Sequence, residues 1–306
     1  MPELPEVQTT VNGLNTYLKG LIISDVWTNY NNISGFHTDK DHIKDPKFFT
    51  HFKKQVVGKK ILGAKRRAKN ILIELDNEGI ILVHLKMTGH LMYGTYIFDT
   101  KDKKDPWKGV SPESLKDPFN RHIRLIFTLS NGKYLALSDM RRFAKVTYIP
   151  KDQIESTLHL KDLGPEPLDK NSTASLFKER LVKRQNGKIK TVLLDPKIVV
   201  GIGNIYSDEI LWRASIHPER MVKNINDKEF KIMFEATRET LKKGIDFGGD
   251  SMSDYRNILG ERGRFQAEHK AYRKTGTKCE KRGCRGVITR KIVGARSAHF
   301  CNAHQK

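Results

Sequence analysis

The sequence predicts an α+β chain of several domains, in which a β-sandwich comes first, a helical region follows and a small cysteine-bearing hairpin ends the chain. Up to about residue 150, short strand-like runs are joined by hairpin turns. From 173 to 247 the apolar residues recur at helical spacing, and all cysteines lie in the last thirty residues. A chain of 306 residues also exceeds what one core usually holds, which favours two domains and an appendage.

The first element is predicted to be an amphipathic helix over residues 4 to 19. Its apolar positions recur at spacings of four, three and four, and Gly20 follows where a helix would stop; they are Val7, Val11, Leu14 and Leu18. Pro5 fits the first turn, because the amide it lacks would be unpaired there. The opening "MPELPEV" therefore reads as an ordinary helix start, unless its first residues also form a site.

Strands dominate the next part of the chain. The runs are "LIISDVW", "ILIELD", "IILVHLKM", "HIRLIFTL" and "KYLALSD", with "NEG" and "SNG" as hairpin turns. Residues 94 to 119 are polar and contain proline, so we expect a long surface loop there. The segment "LGPEPLD", residues 163 to 169, is the expected linker, and the glycine-rich stretch 248 to 265 is expected to move when no ligand is bound.

The charge of the chain points to a polyanionic partner. Lys and Arg number 56 against 35 Asp and Glu, a formal charge of +21 that opposes compaction unless nucleic acid relieves it. The basic residues are spread over every region, which favours a folded charged cleft, although ribosome association would give similar statistics. Without a long apolar run or a signal-peptide pattern, we expect a cytoplasmic protein with no membrane role.

The cysteine-bearing tail has the spacing of a metal site. It reads Cys279-x4-Cys284-x16-Cys301-x2-His304, two close pairs separated by a span that can form a hairpin. Four soft ligands of this kind suit one tetrahedral zinc ion, and four protein ligands leave no open position for catalysis. We therefore predict a single structural zinc, against the alternative of three free thiols and a chance histidine.

Three further segments are candidates for nucleic-acid contact. Gly201 and Gly203 precede a helix expected from Ile205, so Asn204 would lie where a helix N-terminus binds anions, although a plain packing unit explains the glycines as well. In "SDMRRFAK", Arg141 and Phe143 could wedge between bases, or Phe143 could simply face the core. The same two interpretations apply to Met87 in "HLKMTG", whereas the basic run "AKRRAK" before a strand indicates a groove at most.

The first residues could also carry chemistry. Removal of the initiator methionine, which is usual before a small residue, leaves Pro2 with a free secondary amine. An α-amine has a reference pKa near 8, and a helix N-terminus disfavours the ammonium, so a neutral nucleophilic fraction is available. Glu3 is close enough to serve as acid or base.

Taken together, these segments resemble the formamidopyrimidine-DNA glycosylase (Fpg) family of the Fpg/Nei superfamily. The resemblance covers nearly the whole chain in order, through "MPELPEV", "RRAK", "HLKMTG", "DMRRF", "LGPEPL", "VVGIGNIYSDEIL", "GGDSMSDY" and the terminal cysteine hairpin. It implies an N-terminal β-sandwich with flanking helices, a helical helix-two-turn-helix domain and a zinc β-hairpin. The implied domains are a catalytic domain over 1–150, a DNA-binding domain with a lesion-covering loop over 151–262, and a zinc-finger hairpin over 263–306.

The resemblance also implies an activity and the residues that perform it. A monomeric base excision repair enzyme would remove oxidised purines from damaged double-stranded DNA and cut the strand by β,δ-elimination. Pro2 would attack the sugar C1′, Glu3 would protonate the ring oxygen, Lys69 would serve β-elimination, and Arg296 would hold phosphate for δ-elimination. The DNA-binding set would be Met87, Arg141 and Phe143 in the space of the flipped nucleotide, with His122, Lys190 and Asn204 contacting the DNA backbone.

The chain departs from the family pattern at a few places. The usual zinc pattern is two Cys-x2-Cys pairs, Asn120 stands where many members have a histidine, and the 94 to 119 segment is longer than usual. Two alternatives stay open: a Nei-type glycosylase for oxidised pyrimidines, and a non-catalytic binder of damaged DNA. Leu4 favours the Fpg branch, and the intact "PE" start with Lys69 weighs against a binder.

Overall fold

The computed structural model describes residues 1–30, 42–154, 156–157, 160–252 and 254–306. The chain forms two compact units. The N-terminal unit consists of Met1–Lys161 and Gly248–Arg264, and the C-terminal unit of Asp162–Phe247 and Phe265–Lys306.

The N-terminal unit is a β-sandwich with flanking helices, as predicted. Its helices are α1 (Leu4–Tyr17) and α2 (Pro46–Val56), and its strands are β1 (Ile23–Thr28), β2 (Ile61–Arg67), β3 (Asn70–Leu75), β4 (Ile80–His84), β5 (His90–Phe98), β6 (Trp107–Ser111), β7 (Ile123–Leu129), β8 (Tyr134–Ser138) and β9 (Lys145–Ile149). One antiparallel sheet has the order β1-β7-β8-β5-β6 and the other β2-β3-β4-β9. One buried apolar cluster draws residues from both sheets and both helices, and it forms the core.

The helix predicted at the chain start is confirmed. It begins after Glu3, ends at Tyr17 and buries Leu4, Val7, Val11 and Leu14. Gly20 follows in a turn with φ of +89°. Burial of this apolar stripe against the sandwich stabilises the helix more than its sequence propensity does.

The prediction of a long loop over residues 94 to 119 is wrong. Strand β5 continues to Phe98, and β6 pairs with it antiparallel, Phe98 opposite Trp107. Leu115, only 3% exposed, then packs over two glycines of this pair; a Cβ on Gly94 would lie 2.5 Å from its Cδ1, and a Cβ on Gly109 2.6 Å from its Cβ. The many lysines and aspartates of this segment give no strand pattern in the sequence. Pairing with β5, which the local sequence does not reveal, decides the conformation.

The C-terminal unit is helical and ends in a hairpin, as predicted. Its elements are α3 (Ala174–Val182), α4 (Ile189–Leu193), α5 (Asn204–Ala214), α6 (Asp227–Asp246), β10 (Ile288–Val293) and β11 (Arg296–Cys301). Strands β10 and β11 pair from Ile288–Cys301 to Val293–Arg296, and the two turn residues, Gly294 and Ala295, both have positive φ. Among the helices in the described parts of the chain, none combines the length and apolar character needed to cross a membrane.

Candidate active site and nucleic-acid interface

The start of the chain is held by Glu6, which lies in the first turn of α1. Pro2 and Glu3 are buried, and the Glu3 amide donates to Glu6 Oε2 at 2.7 Å. The other oxygen, Oε1, accepts the amide of Asp250 at 2.7 Å. Tyr255 donates its hydroxyl to the Glu6 carbonyl at 3.0 Å, and burial raises its pKa well above the usual range, which keeps that proton in place. The carboxylate three residues after Glu3 was the available signal, since it has the spacing of a capping box.

Lys69 lies in the tight turn between β2 and β3. Arg67 pairs with Asn70 across that turn, and Ala68 has a φ of +56°. Arg66 donates to the Ala68 carbonyl at 2.9 Å and to Gln8 of α1 at 3.0 Å. The sequence analysis placed the basic run before a strand, but its first residues form the end of strand β2. Arg66 links the turn of Lys69 to α1, the helix that begins next to Pro2.

Asp139 connects the two segments predicted to fill the space of a flipped nucleotide. This fully buried carboxylate accepts the hydroxyl of Thr88 at 2.6 Å and the amide of Ala144 at 2.8 Å. The Thr88 hydroxyl in turn accepts the Arg141 amide at 3.1 Å. The loop of Met87 is therefore tied to the loop of Arg141 and Phe143, so the structure brings these three residues together. Asp139 directly precedes "MRRF" in the sequence, but nothing in that pattern marks it as the residue that joins the two loops.

The side chains on these loops are partly exposed. Phe143 is 39% and Met140 52% exposed, which is unusual for large apolar side chains without a partner. The Arg141 guanidinium lies 4.6 Å from the centre of the Phe143 ring. A cation beside an exposed aromatic ring suits a wedge between bases better than a core position.

Three of the motifs contain a residue other than glycine with positive φ, and the predicted DNA contact His122 is a fourth such residue. These residues are Ala68, Lys86, His122 and Arg142, with φ between 54° and 65°. Such conformations cost free energy outside glycine and collect at functional sites. The sequence does not mark these positions, because none of the four is a glycine or an asparagine, the residues that most often adopt positive φ. His122 itself is partly exposed, and its Nδ1 lies 3.3 Å from Asp105 Oδ2.

In the C-terminal unit, Asn204 and Arg296 are brought close through Ser297. Asn204 is the first residue of α5, and its Nδ2 lies 3.4 Å from Ser297 Oγ. Its Oδ1 is buried without a partner among the described residues. Arg296 is exposed at the start of β11, directly after the turn.

Lys190, for which the family resemblance implies a phosphate contact, is buried. Its side chain is 0% exposed and its ammonium pairs with Asp208 Oδ1. The other oxygen of Asp208 accepts the backbone amide and Nδ1 of His299, each at 2.9 Å. This buried network joins α4, α5 and β11. In this arrangement the ammonium does not face solvent, so a direct phosphate contact stays a prediction.

The predicted metal ligands form one cluster. The ligand atoms of Cys279, Cys284, Cys301 and His304 all lie within 4.8 Å of one another. Cys279 Sγ is 3.3 Å from His304 Nδ1, and the Sγ atoms of Cys284 and Cys301 are 3.6 Å apart. These separations fit a tetrahedral ion with metal–sulfur bonds of about 2.3 Å.

Two neighbours orient this cluster. His304 Nε2 lies 3.1 Å from the carbonyl oxygen of Trp212, which directs Nδ1 towards the sulfur atoms. Gly286 lies directly beside two sulfurs, since a Cβ there would be 2.5 Å from Cys301 Sγ and 3.3 Å from Cys284 Sγ. The four residues therefore could bind a metal ion.

Known proteins match the chain over its full length. The family model for the formamidopyrimidine-DNA glycosylase N-terminal domain matches residues 1–146, and the model for the H2TH domain of the same enzymes matches residues 163–256. Formamidopyrimidine-DNA glycosylase of Pelotomaculum thermopropionicum is 35% identical over 100% of this chain and 99% of its own length. The Bacillus subtilis enzyme is 35% identical over 98% of both chains.

Solved structures agree with these relatives. The complex of Lactococcus lactis Fpg with abasic-site DNA matches with a TM-score of 0.81 and 30% identity over 99% of both chains. The wild-type L. lactis protein with DNA containing N7-benzyl-Fapy-dG matches with a TM-score of 0.79 and 31% identity over 100% of both chains. On these grounds the chain belongs to the formamidopyrimidine-DNA glycosylase family.

Proposed function

We propose that the protein is a base excision repair enzyme that removes oxidised purines, such as 8-oxoguanine and formamidopyrimidines, from duplex DNA and then cuts the strand. The observation that carries this proposal is the N-terminal proline, buried beside Glu3 at the start of α1 in a chain that belongs to this family. The solved relatives contain abasic-site or Fapy-dG DNA, which supports the same class of ligand here.

Pro2 is the attacking group. Without Met1 its nitrogen is a secondary amine, which forms a bond to the sugar C1′ while the bond from C1′ to the base breaks. The Glu3 carboxylate takes the proton that the nitrogen releases and passes it to the ring oxygen, while the departing base takes a proton from solvent. The C1′–O bond then breaks with its electron pair going to that oxygen, and the nitrogen lone pair forms the iminium. The helix N-terminus favours the ionised Glu3 carboxylate, which is the form that accepts the proton from the nitrogen.

Strand cleavage follows from the iminium, which acidifies the neighbouring C–H bonds. Lys69 serves the first elimination, in which a proton leaves C2′ and the 3′ phosphate departs. Arg296 holds the phosphate for the second elimination, which releases the 5′ phosphate. An always-charged guanidinium suits that task, because it stabilises the departing dianion.

The remaining proposed contacts hold the DNA. Met87, Arg141 and Phe143 occupy the space of the extruded nucleotide, and the tie through Asp139 supports their acting as one wedge. His122 and Asn204 bind the DNA backbone. The buried ion pair of Lys190 with Asp208 supports a positioning role for that lysine better than direct contact.

The metal is one structural zinc held by Cys279, Cys284, Cys301 and His304. Bound there, it stabilises the small hairpin module and takes no part in the chemistry. We keep the functional division into 1–150, 151–262 and 263–306, and a monomeric state, as proposals. The structural units differ from this division: the N-terminal unit extends to Lys161 and includes 248–264, and the terminal hairpin belongs to the same unit as the helices.

Covalent trapping tests the chemistry directly. Borohydride added during reaction with 8-oxoguanine or abasic duplex should reduce the iminium and leave a protein–DNA adduct. Pro2→Gly should lower the adduct yield severely, whereas Pro5→Ala, a change in the same helical turn, should trap like the wild type. An enzyme that cleaves these duplexes without forming any adduct would contradict the proposal, and cleavage of thymine-glycol duplex in preference to 8-oxoguanine would favour the Nei-type alternative.

A further inference from the structure

The segment 112–120, called here the brace, follows β6 and consists largely of two short 3-10 turns, Glu113–Lys116 and Pro118–Asn120. It packs against residues 256–260 of the glycine-rich stretch, and both segments belong to the N-terminal unit. The function proposed above uses neither segment 112–120 nor its contacts.

Polar groups join the two segments closely. Ser114 Oγ donates to the Leu259 carbonyl at 2.5 Å. Asn120, 3% exposed, donates to the carbonyls of Ser114 at 2.7 Å and Gly260 at 2.9 Å. Its Oδ1 lies 3.0 Å from His90 Nε2, so one amide side chain connects β5, the brace and residue 260. A buried amide with this many partners is fixed in orientation.

A buried arginine adds an ionic contact. Arg256 is 1% exposed, and its guanidinium lies 3.2 Å from Asp117 Oδ2. The same guanidinium lies 4.6 Å from the centre of the Phe119 ring and donates to the Tyr255 carbonyl at 2.9 Å. Removing one partner of a buried charge pair is costly, because the other charge stays desolvated.

Steric fit limits the space between the segments. Gly260 has a φ of +80°, and a Cβ there would lie 2.7 Å from Asn120 Nδ2 and 2.9 Å from Leu115 Cδ2. Leu115 is held in turn over the glycines of β5 and β6. The backbone at residue 260 therefore has one position against the brace.

The same stretch is also attached to the helix that begins next to Pro2. The Ile258 carbonyl accepts the Tyr93 amide at 2.7 Å, and a Cβ on Gly13 of α1 would lie 2.3 Å from Ile258 Cγ2. Further up the stretch, the amide of Asp250 binds Glu6, as described above. Residues 250–260 are thus held at one end by Glu6 and at the other by the brace.

We propose that the brace is a positioning element for base excision: through Ser114, Asp117 and Asn120 it fixes residues 256–260 and thereby the placement of the preceding residues over an extruded base. This inference rests on the function proposed above and on the lesion-covering loop that the family resemblance implies, which we assign to the glycine-rich stretch 248–265. Excision needs the covering residues in place. Cleavage at a preformed abasic site does not, because no base is present there to contact.

The test compares two reactions in three variants. Asp117→Asn keeps an oxygen for the Phe119 amide but removes the charge facing Arg256, and Ser114→Ala deletes one hydroxyl and leaves the fold least disturbed. The control is Lys116→Ala, whose side chain is exposed and pairs with Glu113 in the same segment. Single-turnover excision of 8-oxoguanine and cleavage of a preformed abasic duplex are measured for each, together with tryptic cleavage after Arg256.

We expect Asp117→Asn to slow excision about tenfold and Ser114→Ala about threefold, in line with the loss of one buried polar contact. Abasic cleavage should stay within about twofold, trypsin should cut after Arg256 faster, and Lys116→Ala should match the wild type. Equal losses in both reactions, or unchanged excision in both brace variants, would overturn the inference. A wild-type enzyme that excises nothing would instead overturn the proposed function, and the tryptic comparison would then still decide whether the brace fixes residue 256.

Discussion

At the scale of single residues, His90 has an environment that governs its protonation. It is 1% exposed, with Nδ1 3.3 Å from the Thr88 carbonyl and Nε2 3.0 Å from Asn120 Oδ1. Burial lowers the pKa of His90 to about 4, against an ordinary value of 6.5. The ring is therefore neutral at pH 7, and only one of its nitrogens donates.

This shift predicts a pH dependence of stability. Between about pH 6.5 and 4 the unfolded chain binds a proton at His90 that the folded chain does not, so the free energy of unfolding falls as the pH falls. The contribution is complete above about pH 6.5. Urea unfolding at several pH values should show a smaller dependence in His90→Gln than in the wild type. The exposed His51→Gln should keep the wild-type dependence; equal curves for all three would contradict the assignment.

At the scale of elements, the buried network of Lys190, Asp208 and His299 joins α4, α5 and the terminal hairpin. Asp208→Asn leaves the ammonium of Lys190 without its carboxylate in a site that excludes water. We expect the free energy of unfolding to fall by about 3–5 kcal/mol, measured in urea.

Asp227→Asn is the matched control for this change. Asp227 pairs with Lys178 at 2.7 Å, but its side chain is 84% exposed. We expect a loss of no more than about 1 kcal/mol, because exposed pairs are screened by water. Similar losses for the two variants would mean that burial does not set the strength of the Asp208 network.

With the zinc ion proposed above bound, the terminal hairpin should depend on that ion for its stability. Because four protein ligands complete one tetrahedral site, we expect about one zinc ion per chain in the purified protein. Strong chelators should remove this ion. His304→Ala should reduce the zinc content and the thermal stability of the hairpin module, whereas His51→Ala on α2 should change neither. Elemental analysis of the purified variants measures the metal, and full zinc content in His304→Ala would exclude that residue as a ligand.

At the scale of the whole molecule, the charge of +21 governs DNA binding. Release of counterions makes the affinity for undamaged duplex fall steeply as the salt concentration rises. In a plot of log affinity against log salt concentration, each phosphate contact makes the slope more negative by about 0.9. Arg296→Ala should reduce the slope by about that amount in fluorescence anisotropy titrations. Lys47→Ala, an exposed lysine on α2, should leave the slope unchanged; an unchanged slope for Arg296→Ala would remove Arg296 from the phosphate contacts.

The fold could be predicted from the sequence where local pattern and burial agree. The spacing of Val7, Val11 and Leu14 marked α1, and strand β4 read as a continuous apolar run because both of its faces are buried. The pattern failed over 94 to 119, where the pairing of β6 with β5 outweighs a polar, proline-containing sequence. Local propensity is a small term there beside cross-strand pairing.

By itself, the sequence determined which residue types are available: a proline second in the chain, a set of close Cys and His ligands, and cations throughout. Only the tertiary structure decided which of them face solvent and which are held in place. It buried Lys190 against Asp208, made Asp139 the tie between two loops, and placed the brace over residues 256–260. The physical reason is that the free energy of a charge or a hydrogen bond depends on its surroundings, and residues far apart in the chain supply those surroundings.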